Sequence, residues 1–308
     1  MLHSHIEPQP IIPESSPLYA ERSRIFSAAE DDFAACTLDH YSNNPPSLIF
    51  ANPLRKKNPL VSVITIVFND EKNIYRTMES VIRQTSDDYE YIVIDGASTD
   101  QTVSLILDCS HSIDVFVSEP DRGIYHAQNK GLSLASGEWV IFMNSGDYFA
   151  NKNVLSNFQP SPETIVAFGD SIWTDAWQSS WAAKNVHDIW KGMIACHQAT
   201  FIKRDIHIKY PLSEKYKIIS DYSVIAQLYA DGYTFEKVPF PIARIEVAGV
   251  SDAKYSRTIE RYFVARKLFP NKPVITTYAN IIIQFIRKDI SSFITRLRSR
   301  LDRTVRKI

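Results

Sequence analysis

Val61-Ser62-Val63-Ile64-Thr65-Ile66-Val67 is a run of β-branched residues interrupted by a single serine, and Phe68-Asn69-Asp70 ends it. With no charged residue at alternate positions, the run reads as a strand buried on both faces. Outward from it, the chain alternates between two periodicities. A helix is expected over about Glu71 to Gln84, with Ile74, Met78, Val81 and Ile82 on one side. Tyr91 to Ile94 reads as a second strand closed by Asp95-Gly96, and Thr99 to Cys109 as a second helix. Ile113 to Val117 is a third strand, Tyr125 to Ala135 a third helix and Trp139 to Met143 a fourth strand.

Strands separated by helices at this spacing predict an α/β fold, an open, mostly parallel, Rossmann-like sheet with flanking helices. Ligands of such sheets lie beyond the carboxyl ends of the strands. Four polar segments, 68–70, 95–100, 119–123 and 144–147, are therefore expected to meet on one rim. Beyond residue 150 the alternation loosens. Thr164 to Phe168 and Thr200 to Ile202 read as strands, and Ile219 to Ala230 as a helix.

Three regions are expected: an N-terminal extension over 1–57, a main domain over 58–250 and a helical segment over 251–308. Pro8, Pro10, Pro13, Pro17, Pro45, Pro46 and Pro53 punctuate the first, which reads as an extended or partly helical arm. In the last, Ile290, Phe293, Ile294, Leu297 and Leu301 form one helical stripe beside a basic face. Such a helix suits an anionic membrane surface; docking on its own domain, or on a second subunit in a homo-oligomer, is the alternative. The apolar run from Pro273 to Ile286 is too short and too polar to span a bilayer.

Composition excludes several classes. The chain of 308 residues is 44% hydrophobic and 22% charged, with a formal net charge of -1. It has no excess of Lys and Arg with which to neutralise nucleic-acid phosphates. Cys36, Cys109 and Cys196 are too far apart for a zinc site or a disulfide framework, and read as reduced thiols. With no apolar leader visible, a cytoplasmic location is expected, extending to the inner face of the cell membrane if the basic helix binds there. No glycine-rich dinucleotide or P-loop motif follows the first strand, which disfavours an NAD-type oxidoreductase or a P-loop ATPase. Carboxylates at Asp95, Asp100, Glu119, Asp121 and Asp147 instead suit a nucleoside and a cation-bound diphosphate.

Four segments in order carry a family likeness: Val63 to Asn69; Ile94-Asp95-Gly96-Ala97-Ser98-Thr99-Asp100; Ser118-Glu119-Pro120-Asp121-Arg122-Gly123-Ile124-Tyr125 through Asn129-Lys130-Gly131; and Ser136-Gly137-Glu138 leading to Asn144-Ser145-Gly146-Asp147. Residues 60 to about 250 thereby resemble glycosyltransferase family 2, with its GT-A fold, and in particular the subgroup of bacterial polysaccharide and lipopolysaccharide clusters. The resemblance implies an inverting transfer of a sugar from a nucleotide-sugar donor, expected to be UDP-linked, to a glycan or lipid-linked acceptor.

Carried over residue by residue, it makes Val67, Phe68, Asn69 and Asp95 the nucleoside side of the donor site. Asp100, Asp121, Arg122, Gly123, Lys130, Asn144, Ser145 and His197 complete the expected donor-side set. Arg122 or Lys130 would neutralise the diphosphate; alternatively Arg122 pairs with Glu119 or Asp121 on a solvated loop. Asp147 falls at the family's metal motif, implying Mn2+ or Mg2+, although Asn144 and Gly146 stand where carboxylates often do. A turn-forming role for Asp147 is the other reading. Asp221, at the head of the Ile219–Ala230 helix, matches the general base, and a helix cap is its plainer role. Trp173, Trp177 and Trp181 suit either sugar stacking or core contact. A nucleotide-sugar-binding regulatory protein that has lost transfer is the rival reading. A processive synthase is disfavoured by the lack of a Gln-x-x-Arg-Trp segment and of membrane spans.

Overall fold

A computed structural model of the chain describes residues 48–52, 55–174, 179–216, 218–246 and 254–287. The run that opened the sequence reading is strand β2 (Val61–Val67), buried at every position. Leu48–Ala51 forms β1, Tyr89–Asp95 β3, Val115–Ser118 β4 and Trp139–Phe142 β5. Helices α1 (Ile74–Ile82), α2 (Thr102–Asp108) and α3 (Ile124–Leu134) connect them. Strand β2 pairs in parallel with β3 from Val61↔Tyr89 to Val67↔Asp95, and on its other side with β5.

The second half supplies β6 (Tyr148–Phe149), β7 (Val166–Trp173), β8 (Ser180–Trp181), β9 (Thr200–Lys203) and β10 (Phe235–Ile245). Its helices are α4 (Arg204–His207), α5 (Ser220–Ala230) and α6 (Lys254–Leu268). The strands join one sheet in the order β1-β4-β3-β2-β5-β9-β7-β10-β6, with β8 beside β7. Strands β4, β3, β2 and β5 form a continuous parallel block, while β1, β9 and β6 run antiparallel to their neighbours.

Alternation along β2 and β3 divides the core in two. Ile64, Ile66, Ile92 and Ile94 lie on the α3 side, in one buried cluster with Leu132 of α3, Tyr222 and Val224 of α5 and Val264 of α6. Val61, Val63, Tyr91 and Val93 face α1 and α2, where Ile74, Met78 and Ile106 lie. Between the last turn of α3 and β5, the Ser136–Gly137 turn closes on the buried carboxylate of Glu90, which accepts from the amides of Ser136 (2.6 Å) and Gly137 (3.1 Å). A side chain at Gly137 would strike the Ser62 amide nitrogen at 2.6 Å, so only glycine fits there.

Both flanking regions make contacts with the sheet domain. Residues 48–51, assigned to the N-terminal extension, form an edge strand paired antiparallel with β4 through Phe50↔Phe116 and Ala51↔Val115. The segment beginning at 251 is helical over 254–268 and 274–287, and its Val264, Ala265, Phe269, Val274 and Tyr278 pack into the same core as α5. Cys109 and Cys196 are free thiols, and burial pushes that of Cys196 up to about 12. Trp173 and Trp181 pack against each other (ring centroids 6.1 Å apart) and onto the core, the core-contact reading. Cys36, Trp177 and the apolar stripe from Ile290 to Leu301 lie outside the described residues. No described helix is long and apolar enough to cross a membrane.

Candidate active site

The four polar segments meet at the carboxyl edge of the parallel block. Val67 and Asp95 end their strands side by side, and the Gly96 amide donates to the Val67 carbonyl (2.9 Å). Two non-glycine residues here adopt left-handed backbone, Asn69 (φ 48°) and Ala97 (φ 63°). The strain, of order 1–3 kcal/mol per residue, is offset by reciprocal bonds between the turns. The Asn69 amide donates to Ser98 Oγ (2.8 Å), and the Thr99 amide donates to Asn69 Oδ1 (2.8 Å). Beside these turns the Phe68 ring is 62% exposed, an uncovered aromatic face on the rim.

Asp95 is fully buried. Its carboxylate accepts from the Ser98 amide (2.9 Å) and from Ser118 Oγ (2.6 Å), so it holds the turn from beneath. Asp100 accepts from the amides of Glu71 (3.2 Å) and Thr102 (3.0 Å), closing the entrance to α2. Hydrogen bonding from Thr102 keeps its carboxyl below the ordinary value. Asp121 leans over Gly96, whose missing side chain makes room for it: a Cβ there would lie 2.8 Å from Asp121 Oδ2. Gly123, at φ 127°, donates its amide to Asp121 Oδ1 (2.8 Å) and leads into α3.

The two expected diphosphate cations part company. Lys130 is 1% exposed, and its ammonium donates to the Pro120 carbonyl (3.1 Å) and pairs with Glu119 (3.0 Å). It braces the loop from behind and does not face the cleft. Arg122 is largely exposed and makes a two-pronged bond to Glu214, with Nε and Nη2 at 2.9 and 3.0 Å. That partner is neither Glu119 nor Asp121, and it links the loop to the approach to α5.

The segment 144–147 extends β5 along β2: the Met143 amide donates to the Ile64 carbonyl (2.9 Å) and the Ser145 amide to the Ile66 carbonyl (3.0 Å). Ser145 Oγ donates to Asp70 Oδ2 (2.7 Å). Asp147 is 7% exposed and points inward, accepting from the Glu246 amide on Oδ1 (2.9 Å) and from Gln198 on Oδ2 (2.6 Å). Burial outweighs those bonds and raises its carboxyl to about 6. Divalent Mn2+ and Mg2+ need outward-facing ionised oxygens. With Asp147 enclosed, Gly146 lacking a side chain and Asn144 engaged elsewhere, this donor set does not fit the cation implied by the family motif. Among the described residues, no group of three or more His, Cys, Asp or Glu is placed to hold a metal.

Across the rim stands Asp221, in the first turn of α5. Its Oδ2 lies 3.2 Å from His197 Nδ1, and its Oδ1 accepts from the Tyr222 amide (2.8 Å). Both side chains of the pair keep an opening to solvent, 23% for His197 and 18% for Asp221. Burial pushes the Asp221 carboxyl up, but the hydrogen bond from His197, the charge of Arg261 and the Tyr222 amide outweigh it. The net effect holds the carboxyl below its ordinary value. Asp221 is therefore ionised at neutral pH. On its other edge His197 meets Asn144, with Nε2 2.9 Å from Asn144 Nδ2. His197 and Asp221 themselves line a small pocket, of about 20 Å³, together with Gln128, Phe142, Thr200 and His207.

Gln128, Gln198, Glu214 and Arg261 were not among the expected site residues. Gln198 carried a signal as the neighbour of His197 and Gln128 as a member of the 118–131 segment; Glu214 and Arg261 reach the site only through tertiary packing.

The model of "Glycosyl transferase family 2" matches residues 62–167. An uncharacterized glycosyltransferase of Mycobacterium tuberculosis is 42% identical over 99 residues, 32% of this chain and 38% of that protein. A "PGL/p-HBAD biosynthesis glycosyltransferase" of Mycobacterium bovis is 26% identical over 176 residues, 53% of this chain and 67% of that protein. The match to the first of these relatives thus spans well under half of its length. Among solved structures, S. aureus TarS 1-349 in complex with UDP-GlcNAc aligns with a TM-score of 0.55 at 18% identity, covering 68% of this chain and 65% of that one. The mannosyltransferase PcManGT from Pyrobaculum calidifontis, in complex with GDP-Man and Mn2+, aligns with a TM-score of 0.52 at 18% identity, covering 84% and 79%. These likenesses establish the fold.

The enclosure of Asp147 has a thermodynamic consequence. A carboxyl whose folded value is raised contributes stability that is full below its unfolded value of 3.8 and is lost as pH rises through about 6. Denaturant titrations at pH 4 and pH 7 are expected to show wild type losing a component of a few kcal/mol that Asp147→Asn does not lose. Equal pH dependence in the two proteins would mean that the carboxylate is hydrated, and free for a cation.

Proposed function

We infer, from the match of residues 62–167 to the model of glycosyl transferase family 2, that the protein transfers a sugar from a nucleotide-sugar donor, UDP-linked, to a glycan or lipid-linked acceptor with inversion, in the building of a surface polysaccharide. The observation that carries this reading is the carboxylate of Asp221, partly open to solvent and held 3.2 Å from His197 on the rim that also bears Phe68, Asn69 and the 95–99 turn. The relatives' names agree with transfer. The two aligned structures hold UDP-GlcNAc and GDP-Man, so GDP-linked sugars are the natural competitors in a donor screen.

In this reading the nucleoside lies against the exposed Phe68 and the paired turns at Asn69 and Ala97. The acceptor hydroxyl attacks the anomeric carbon from the side opposite the diphosphate. The new carbon–oxygen bond forms as the bond to the diphosphate oxygen breaks, the nucleoside diphosphate leaves, and Asp221 takes the hydroxyl proton. A low-lying carboxyl suits the task in one respect: it stands deprotonated before the acceptor arrives. A divalent cation bound mainly by the diphosphate itself remains compatible with this reading, but no step is assigned to it, because Asp147 does not present a ligand.

A peripheral membrane location for the same enzyme is supported by exposed apolar residues that precede the basic C-terminal segment in the sequence. Ile259 and Phe263 on α6, with Ile275, Ile283 and Ile286 in the helical residues 274–287, are all more than 40% exposed. Deleting 287–308 should weaken binding to vesicles containing anionic lipid; unchanged binding would remove the proposal.

A panel of UDP- and GDP-sugars, with and without Mn2+, should raise the melting temperature for the true donor. With that donor, Asp221→Asn is expected to lower turnover by roughly 10²–10⁴-fold while the thermal shift persists. A variant as active as wild type would exclude Asp221 as the base. An unmoved melting temperature across the panel would favour a protein that does not bind nucleotide sugars.

A further inference from the structure

We propose that Asn144 is a positioning residue for the base: its amide fixes which ring nitrogen of His197 carries the proton, and thereby locks His197 onto Asp221. This rests on the reading of Asp221 as the base, but concerns a different residue, one whose place in the sequence suggested a donor or cation contact.

The geometry is a chain of three contacts. Gln128 Nε2 donates to Asn144 Oδ1 (3.4 Å), Asn144 Nδ2 lies 2.9 Å from His197 Nε2, and His197 Nδ1 lies 3.2 Å from Asp221 Oδ2. An ionised carboxylate only accepts, so the Nδ1 of His197 must carry the hydrogen. His197 is assigned the neutral ring, with its one N–H on Nδ1, so that Nε2 presents a lone pair to the Asn144 carboxamide. That carboxamide donates to it, with its own oxygen turned toward Gln128, itself 1% exposed. The four groups then form one consistent line of donors and acceptors ending at Asp221.

The same logic explains why an amide, and not a carboxylate, stands at this position. An aspartate in place of Asn144 would set a second acceptor against the His197 lone pair. The contact would survive only if His197 became an imidazolium between two carboxylates, or if the ring turned over and left Asp221. Asn144 is well placed to impose a tautomer, because its backbone is not free to follow the ring. The flanking amides of Met143 and Ser145 are both bonded to β2, at the Ile64 and Ile66 carbonyls. The rigid parallel block thus reaches across the rim, through one side chain, to the element that bears the base.

Asn144→Asp separates this role from a donor or cation role, because the two predict opposite results. It puts back a carboxylate at a position where the family motif often has one. If Asn144 positions His197, turnover should fall by about tenfold or more at nearly unchanged affinity for the nucleotide. In 15N spectra of histidine-labelled protein, wild-type His197 should show a protonated Nδ1 and an unprotonated Nε2, and the variant should show a protonated Nε2. Gln128→Leu, which does not touch the imidazole, should lower turnover less and leave the nucleotide affinity unchanged. The proposal is overturned if Asn144→Asp strengthens nucleotide binding in the presence of Mn2+ with turnover kept or raised, or if wild-type His197 carries its proton on Nε2. The spectra report on the tautomer even in a protein without transferase activity, whereas full activity in Asp221→Asn would remove the base itself, so the two failures are distinguishable.

Discussion

The parallel pairing of β2 with a strand on each side is the constraint on which the rim depends. In parallel strands the carboxyl ends finish at one edge, and every residue of β2 is buried, so a one-residue slip would exchange the contents of the two cores. With Val61↔Tyr89 and Val61↔Trp139 in register, the turns after β2, β3 and β5 must come together. The polar segments around Asn69, Asp95 and Asn144 thus gather in one place without any direct attraction between them. Once there, they interlock: Asn69 with Ser98 and Thr99, Asp70 with Ser145.

The half of the molecule after residue 150 is joined to this rim by a few specific polar contacts. Arg122 reaches Glu214, Gln198 reaches Asp147, and Asn144 reaches His197 and through it Asp221. Each joins a turn of the parallel block to the 197–221 region, which carries the carboxylate best suited to accept a proton. The enclosed Asp147 belongs to this joint. A buried carboxyl raised to about 6 is a costly way to accept two hydrogen bonds, but it fixes Gln198 and the Glu246 backbone beside the 144–147 turn. In a sequence whose motif reads Asn-Ser-Gly-Asp, the last carboxylate thus serves structure, and the first position, an amide, aligns the histidine.

Much of the fold was legible because the first half is locally consistent. Strands β2 to β5 and helices α1 to α3 fall within a few residues of their expected bounds, since β-branched runs and one-sided apolar helices carry their own periodicity. Strand β1 was hidden: four residues amid prolines carry no period, and their place is set by pairing with β4. Strand β10 was hidden by Pro239 and Pro241, which break the pattern of a strand; the structure absorbs them where its register with β7 shifts. Residues of the site were readable one by one, but not their directions. Charge alone could not tell that Lys130 is swallowed behind its loop while Arg122 stands in solvent. Nor could spacing reveal that Asn144, His197 and Asp221 form a line, because these residues are far apart in the chain. Their contacts arise only when β5, the 197–199 turn and α5 are packed together.

The claim that matters most is that the nucleotide turns and Asp221 face one cleft, and a crystal structure of the protein soaked with UDP tests it most directly. The base should lie against Phe68 and the Asn69 and Ala97 turns, with the diphosphate running toward residues 144–146 and the Asp221 carboxylate across an open space from its terminal phosphate. UDP bound away from these turns, or an Asp221 screened from the diphosphate by intervening protein, would contradict it.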